Sequence, residues 1–513
     1  MTTEGPAYLS KSKLVSAWQC LKKLHLIVNR PELAVKLTKT ESSFRTGNDV
    51  GEIAKRIYGT PEAVDMPYAK DAAAMLRETE AVLGNGFAFP VFEATFRHQG
   101  VLVRVDMLLP DGDGWHAIEV KASTSVKRVH LLDCAVQLWV MEGAGLPIKS
   151  ISVGYVNNRF VYRGDGNYAG LIAEQDVTAE AVRLRDSVID LVHRARKTLA
   201  GDLPDIPVGA HCNKPYECEF RAFCWPLNTE YPVPGLGGSK AKHAEWVNRG
   251  FTDIRDLPAS EITAERQLRI YRVTCAGTPE ILPGAREALA ALGYPRYFLD
   301  FETVGPAIPI WEGTRPYQAI PVQWSIHVDD GHGDGSLGRM KHAEFLDLSG
   351  EPPMRLLAEK MIDALGNAGP VFMYTNYELG VIKNLIDWCP DLKERLQAII
   401  DRLFDLANLL QAFYYHPRMA GSWSIKAAAP AIAPQMDYAM LDGINEGTGA
   451  SEGFLEAIRA DTKPDRKALL EQQLLRYCRF DTEAMVEIVH FLERQPQEAA
   501  NSALGAHAGQ ASR

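Results

Sequence analysis

The chain has 513 residues, 46% of them apolar and 23% charged, with a formal net charge of −10. That length supports about three domains of ordinary size with ample core, and it excludes a single small module. The acidic balance counts against a dedicated nucleic-acid coat protein but leaves room for an enzyme that gathers carboxylates around cations. No run of eighteen apolar residues occurs, and Lys11 and Lys13 fall where a signal peptide needs its apolar stretch. A cytoplasmic protein with no membrane partner is expected. Its eight cysteines are then expected to be reduced, which favours metal or cluster ligation over disulfides.

The segment 7–60 predicts helices, with Leu14, Trp18, Leu21, Leu24 and Val28 at helical spacing. Lys11, Lys13, Lys22, Lys23, Arg30, Lys36 and Lys39 face only Glu32 in this stretch, a pattern that serves either phosphate contact or a solvated helix face. The alternating runs 87–96 and 101–109, the turn Asp111-Gly112-Asp113-Gly114 and the run 115–123 predict a β-meander. A helix over 127–143 and a strand over 150–156 extend it into an α/β core. A long polar helix (178–200) leads to the cysteine-rich 211–224, and 231–240 reads as a Pro/Gly linker. Residues 231–292 are expected to be a helical spacer, in which GFTDIRDLP (250–258) has a weak likeness to half of a helix-hairpin-helix element. A second α/β unit, 293–494, opens on the strand RYFLDFETV (296–304) and closes on a helix over 469–492. The tail 495–513 is expected to be disordered.

In the first unit, 1–230, Glu119 and Lys121 lie two apart on one strand, so they project from one face. The tight turn before them predicts antiparallel pairing that brings Asp106 alongside. Two carboxylates there suit Mg²⁺ or Mn²⁺, and a lysine nearby can orient or deprotonate a water. The motifs VRVDML and IEVKAS resemble those of the PD-(D/E)xK nucleases, in the RecB-like branch, over roughly residues 8–226. The resemblance implies a restriction-endonuclease-like fold with Asp106, Glu119 and Lys121 catalytic and Asp106 and Glu119 holding metal. It matches Gln137 to the glutamine of the Q-x-x-x-Y motif, with Met141 where the tyrosine usually stands. It also suggests Glu93 as an additional carboxylate and Glu52 as a stand-in for a metal-binding histidine.

Cys212, Cys218 and Cys224 are evenly spaced, and Cys20 lies at the other end of this unit. Four thiolates suit a 4Fe–4S cluster, or a structural Zn²⁺ as the alternative. One upstream and three downstream cysteines resemble the cluster-bearing RecB-like nucleases, in which the cluster fastens the ends of the domain together. Cys134, Cys275, Cys389 and Cys478 lie singly in apolar segments and are expected to be buried thiols.

In the second unit, Asp300 and Glu302 are two apart on a strand, and Tyr477 and Asp481 four apart on a helix. This combination resembles the DEDD 3′–5′ exonucleases of the RNase H-like fold, in their tyrosine-bearing subtype. The resemblance implies a two-metal site of Asp300, Glu302, Glu378 and Asp481, with Asp405 as a fallback for Glu378 and Tyr477 positioning the attacking water. Lys426 is either a phosphate contact or a solvated side chain. The whole arrangement resembles a bacterial family of unknown function that joins these two domain types.

The function expected is metal-dependent hydrolysis of nucleic acid, DNA in preference to RNA, in repair or in defence against foreign DNA. No G-x-x-x-x-G-K-[ST] motif occurs, so an intrinsic helicase is not expected, although a helicase partner is compatible. The competing class is a non-catalytic or redox-sensing nucleic-acid-binding scaffold.

Overall fold

Strict alternation in Val101-Leu102-Val103-Arg104-Val105 buries every second side chain, which is the behaviour of a strand with one face in a core. In the computed structural model, which describes residues 8–36, 38–69, 71–84, 88–332 and 337–495, the protein is mixed α/β. The expected tail 496–513 lies outside the described residues, as does the Lys39 side chain. The chain divides into two compact units. One comprises Met1–Asn228, Ser239–Gly250 and Pro306–Gln318; the other comprises Thr229–Gly238, Phe251–Gly305 and Ala319–Arg513. The stretch expected to be a spacer is therefore shared between them.

Unit 1 is built on seven strands: β1 (Leu9–Ser10), β2 (Val64–Asp65), β3 (Val91–His98), β4 (Val101–Asp111), β5 (Gly114–Lys121), β6 (Ile148–Val156) and β7 (Ile172–Asp176). Their order is β2-β3-β4-β5-β6-β7, with β1 paired to β4. The meander β3-β4-β5 is antiparallel, whereas β6 joins β5 in parallel through the helix Arg128–Gly143. That helix is apolar almost all round and accordingly buried, from Val129 to Met141 with only Leu131 partly open. It lies between the sheet and the helices Lys11–Gln19 and Arg185–Ala200.

The edge of β4 that faces β5 is used twice. Its start pairs with β1 (Leu9 with Val101, Ser10 with Leu102), and its end pairs with β5 from Met107 onward. The stretch between them has no ladder partner on that edge, and Asp106 ends it. The other edge is irregular at the same level. Glu93 has a left-handed backbone (φ 59), and the β3–β4 register steps over Glu93 and Asp106. Val91 and Ala94, three apart, pack into one core, as do Val105 and Leu108, so the alternation slips by one residue here, as at a bulge.

Unit 2 contains a five-stranded sheet in the order β11-β10-β9-β12-β13, formed by β9 (Arg296–Val304), β10 (Ile320–Asp329), β11 (Lys341–Leu346), β12 (Val371–Met373) and β13 (Leu403–Asp405). β8 (Glu280–Ile281) pairs separately with β14 (Tyr414–Tyr415). β10 is antiparallel to both β9 and β11, while β12 runs parallel to both β9 and β13. The helix Pro464–Glu493 starts with proline at its first position, where a missing N–H costs nothing, and packs across β9 and β10.

Several local expectations are corrected. The stretch 231–240 is no open linker: Val233 and Leu236 are fully buried in a 3₁₀ turn, and Pro232 bridges to Asp253. The 178–200 helix breaks at Leu184 into Thr178–Arg183 and Arg185–Ala200. Residues 254–256 form a 3₁₀ turn. Cys275 is exposed, because its helix buries only Ile270, Val273 and Thr274. The basic residues near the start do not share one solvated face: Lys23 is buried against Glu219 at 2.9 Å, and Lys11 turns inward. Among the described residues no helix is long and apolar enough to cross a membrane.

Candidate active sites

In unit 1 the pairing of Met107 with Ile118 continues toward Asp106 and Glu119, as the turn predicts. Asp106 does not continue the ladder; its Oδ2 instead accepts the Val120 N–H at 2.7 Å. Glu119, only 2% exposed, is held on both oxygens. Oε1 accepts from Lys11 at 2.5 Å and Lys121 at 2.6 Å, and Oε2 accepts from the Gln137 amide at 2.5 Å. Lys121 also meets Asp133 at 2.7 Å. Burial opposes ionisation of Glu119, but Lys11 and Lys121 outweigh it and keep the carboxyl below the usual range. Asp106 is pushed up to about 7, first by burial and then by the Glu119 charge. Lys121 stays protonated despite burial because Glu119 and Asp133 flank it.

Asp106, Glu119 and Lys121 are thus brought together. Gln137 is fully buried and holds Glu119 through its amide, and Met141 lies in the core. Glu93 pairs with Arg104 at 3.2 Å and Lys55 at 3.4 Å. A non-glycine residue at positive φ stores roughly 1–3 kcal/mol of strain, and here it stands at the register step beside Asp106. Glu52 is exposed and engages Lys55 at 3.0 Å.

In unit 2, β9 presents Asp300 and Glu302 toward the helix Pro464–Glu493, which supplies Asp481. One carboxylate oxygen from each lies within 4.8 Å of the others. Asp481 Oδ1 accepts the Tyr438 hydroxyl, and the Cys478 thiol donates to Asp300 Oδ2 at 3.4 Å. Burial raises all three acids. The Asp481 charge adds to the rise at Asp300 and Glu302, and both stand well above the usual value. Asp481 reaches only about 6, because Tyr438 and Lys426 oppose the rise. The Lys426 ammonium lies 5.1 Å from the Tyr438 ring centre and 5.0 Å from that of Tyr477, and it donates to the Asn445 carbonyl at 3.0 Å. Tyr477 is buried on the same helix face as Asp481.

Glu378 is not among the three converging acids. It stands in the first turn of the helix Tyr377–Trp388, 2% exposed, with Oε2 lacking a hydrogen bond. Burial, then Asp405 and Asp481, push it up to about 8. Thr375, just before this helix, has φ 83, an outlier for a β-branched residue. Asp405 caps the helix Leu406–Phe413, and both its oxygens accept from Asn408, at 2.9 and 2.8 Å. It is therefore the more engaged of the two.

The cysteines Cys20, Cys212, Cys218 and Cys224 line one small cavity. Cys20 precedes the helix Leu21–Asn29, Cys212 ends a 3₁₀ turn and Cys224 ends the helix Arg221–Cys224. Burial raises the Cys20 and Cys224 thiols and pushes Cys218 up to about 11. A tetrahedral zinc site would hold sulfurs about 3.8 Å apart, given Zn–S bonds of about 2.3 Å. Among the described residues no three of these thiols approach within 4.8 Å of one another.

Sequence reasoning missed four groups. Lys11 reaches Glu119 only because β1 pairs in parallel with β4, which spacing does not reveal. Asp133 is a polar residue in an apolar helix, and that contrast was a signal. Cys478 reads as an ordinary core thiol, and Tyr438 opens a short 3₁₀ turn 43 residues from Asp481, whose carboxylate it meets.

A family model described as a domain of unknown function (DUF2779) matches residues 297–424, which include Asp300, Glu302 and Glu378. No curated protein matches the chain. Among solved structures, one titled "Crystal structure of SSO0001" is similar at 15% identity over 43% of this chain and 88% of that one, with a TM-score of 0.19.

Proposed function

We propose that the protein is a metal-dependent nuclease that hydrolyses phosphodiester bonds of DNA in preference to RNA. Unit 1 is read as a PD-(D/E)xK domain and unit 2 as an RNase H-like exonuclease domain. The observation that carries the reading is the approach of one oxygen each from the half-buried Asp300 and Glu302 and the buried Asp481 to within 4.8 Å of one another. Burial raises the proton affinity of all three, and the Asp481 charge adds to the rise at Asp300 and Glu302, a cost that a bound cation would offset. Three oxygen donors suit Mg²⁺ or Mn²⁺, and Glu378, with an unpartnered oxygen, is a further donor nearby. When bound, such ions activate water and stabilise charge on the phosphate.

The chain's own groups supply the rest. Tyr438 fixes Asp481 through its hydroxyl, Tyr477 orients water, and Lys426 brings positive charge to the flank of the acids. In unit 1, Gln137 holds Glu119 in place, Asp106 and Glu119 are the donors, and Lys121 orients or deprotonates the water. Lys11 occupies Glu119 Oε1 and would have to yield to a cation there. The cysteine set supports a cluster reading. Four cysteines around one cavity suit 4Fe–4S, with a structural Zn²⁺ as the alternative.

The test is cleavage of end-labelled single-stranded DNA and RNA with Mg²⁺ or Mn²⁺ against an EDTA control. Metal-dependent shortening of DNA is expected. Binding without cleavage under every metal condition would instead support the scaffold class.

A further inference from the structure

An open cavity of about 540 Å³ in unit 1 is used by neither carboxylate site. Ser123, Thr124, Lys127, Asn158, Arg315 and Tyr317 are among the residues that line it, and none of its lining residues is acidic. Its rim starts at Ala122, the residue after Lys121 at the end of β5. Lys127 and Arg315 are exposed, and neither forms an ion pair with a carboxylate among the described residues. Lys127 also precedes the sixteen-residue helix Arg128–Gly143, whose N-terminal end favours anions. In a chain of net charge −10, two unneutralised cations around one hollow without an acidic lining residue are out of keeping with the average surface.

The hollow is too large for a lone phosphate, and its third element is aromatic. Tyr317 is 39% exposed, and its hydroxyl donates to the Ala122 carbonyl, which fixes the ring. Its backbone is left-handed, at φ 59, a costly conformation for a bulky residue. Cations that meet phosphates beside a fixed ring that can stack on a base are the two parts of a single-strand binding surface.

We infer that this cavity receives the single polynucleotide strand next to the bond cut at Asp106, Glu119 and Lys121, with Lys127 and Arg315 each meeting a phosphate and Tyr317 stacking on a base. The inference rests on the nuclease reading of unit 1.

The test is fluorescence anisotropy with a labelled oligothymidylate in EDTA, repeated across salt concentrations, with an oligouridylate series to tell a DNA strand from an RNA strand. The double variant Lys127→Ala/Arg315→Ala should bind about tenfold more weakly. Its salt slope should fall by about 1.4, at about 0.7 for each phosphate contact to a single strand. The charge-retaining pair Lys127→Arg/Arg315→Lys should keep the wild-type slope. An alanine variant that binds with wild-type affinity and slope while the protein still cleaves would overturn the subsite and leave the nuclease reading intact. Equal loss in the charge-retaining pair would also overturn it, since the effect would then be structural. A wild-type protein that neither binds nor cleaves either polymer would overturn both.

Discussion

The two units place acids on strands in the same way and then treat their charge in opposite ways. In unit 1, Glu119 is bracketed by Lys11 and Lys121, and Lys121 in turn by Asp133. In unit 2, Asp300, Glu302 and Asp481 crowd together, and Lys426 is spent partly on two tyrosine rings and the Asn445 carbonyl. The first site balances its charge from its own chain, whereas the second is left short of a cation. The i, i+2 strand pattern places carboxylates, but the neighbours on other elements decide whether they are salt-bridged or proton-hungry.

The largest test of this contrast removes a donor from the short-handed site. Asp300→Asn or Asp481→Asn should lower cleavage at that site by roughly 10²–10³-fold, the loss typical of removing a preorganised electrostatic contact. Rates measured in the background of Lys121→Ala isolate this site from the other. A loss under tenfold would mean that the three acids are not the working set.

Next comes the support of the balanced site. Gln137→Ala removes the buried amide that holds Glu119 Oε2 and should cost about 10–100-fold in metal affinity or activity there. The rate in an Asp300→Asn background reads it. Tyr438→Phe deletes the hydroxyl that Asp481 accepts, and a loss near the lower end of the same range is expected for the second site. If Tyr438→Phe were the more damaging of the two, the contrast between the units would be misdrawn.

How much of this was legible in the sequence follows from which interactions are local. β9 was readable to the residue: the run RYFLDFETV is the strand Arg296–Val304, with its first four side chains buried and Asp300 and Glu302 partly open. Asp300, Glu302 and Asp481 were readable because strand and helix periods fix their faces. Lys11 was not, since its partner is 108 residues away and the link is a two-residue parallel pairing. The ordering of 231–240 escaped because burial of Val233 and Leu236, rather than local composition, decides it. Glu378 was legible as a candidate, but its position outside the three converging acids depends on how the helix Tyr377–Trp388 leaves β12.

The smallest effect expected is on stability. Asp481 at about 6 and Glu378 at about 8 both lie above the usual carboxylate value of about 4. These acids therefore bind more protons in the folded than in the unfolded state between about pH 4 and pH 8, and their contribution to stability falls as pH rises through that window. Asp106, at about 7, has the same sign. His130, His327 and His342, held below their usual value by burial, contribute with the opposite sign below about pH 6.5. Above the histidine range, the melting temperature in EDTA should be lower at pH 8 than at pH 7, and Mg²⁺ should raise it more at pH 8. A melting temperature in EDTA that climbs across this range would contradict the assignment of uncompensated acids to unit 2.

Titration of Mn²⁺ by electron paramagnetic resonance at neutral pH, wild type against Asp300→Asn, tests the central claim most directly. Free Mn²⁺ signal should be suppressed by the wild-type protein, with protons released to a weak buffer as the ions bind, and the suppression should drop in the variant. Equal suppression by both proteins, or none by the wild type, would contradict the claim that the clustered acids of unit 2 exist to hold divalent cations.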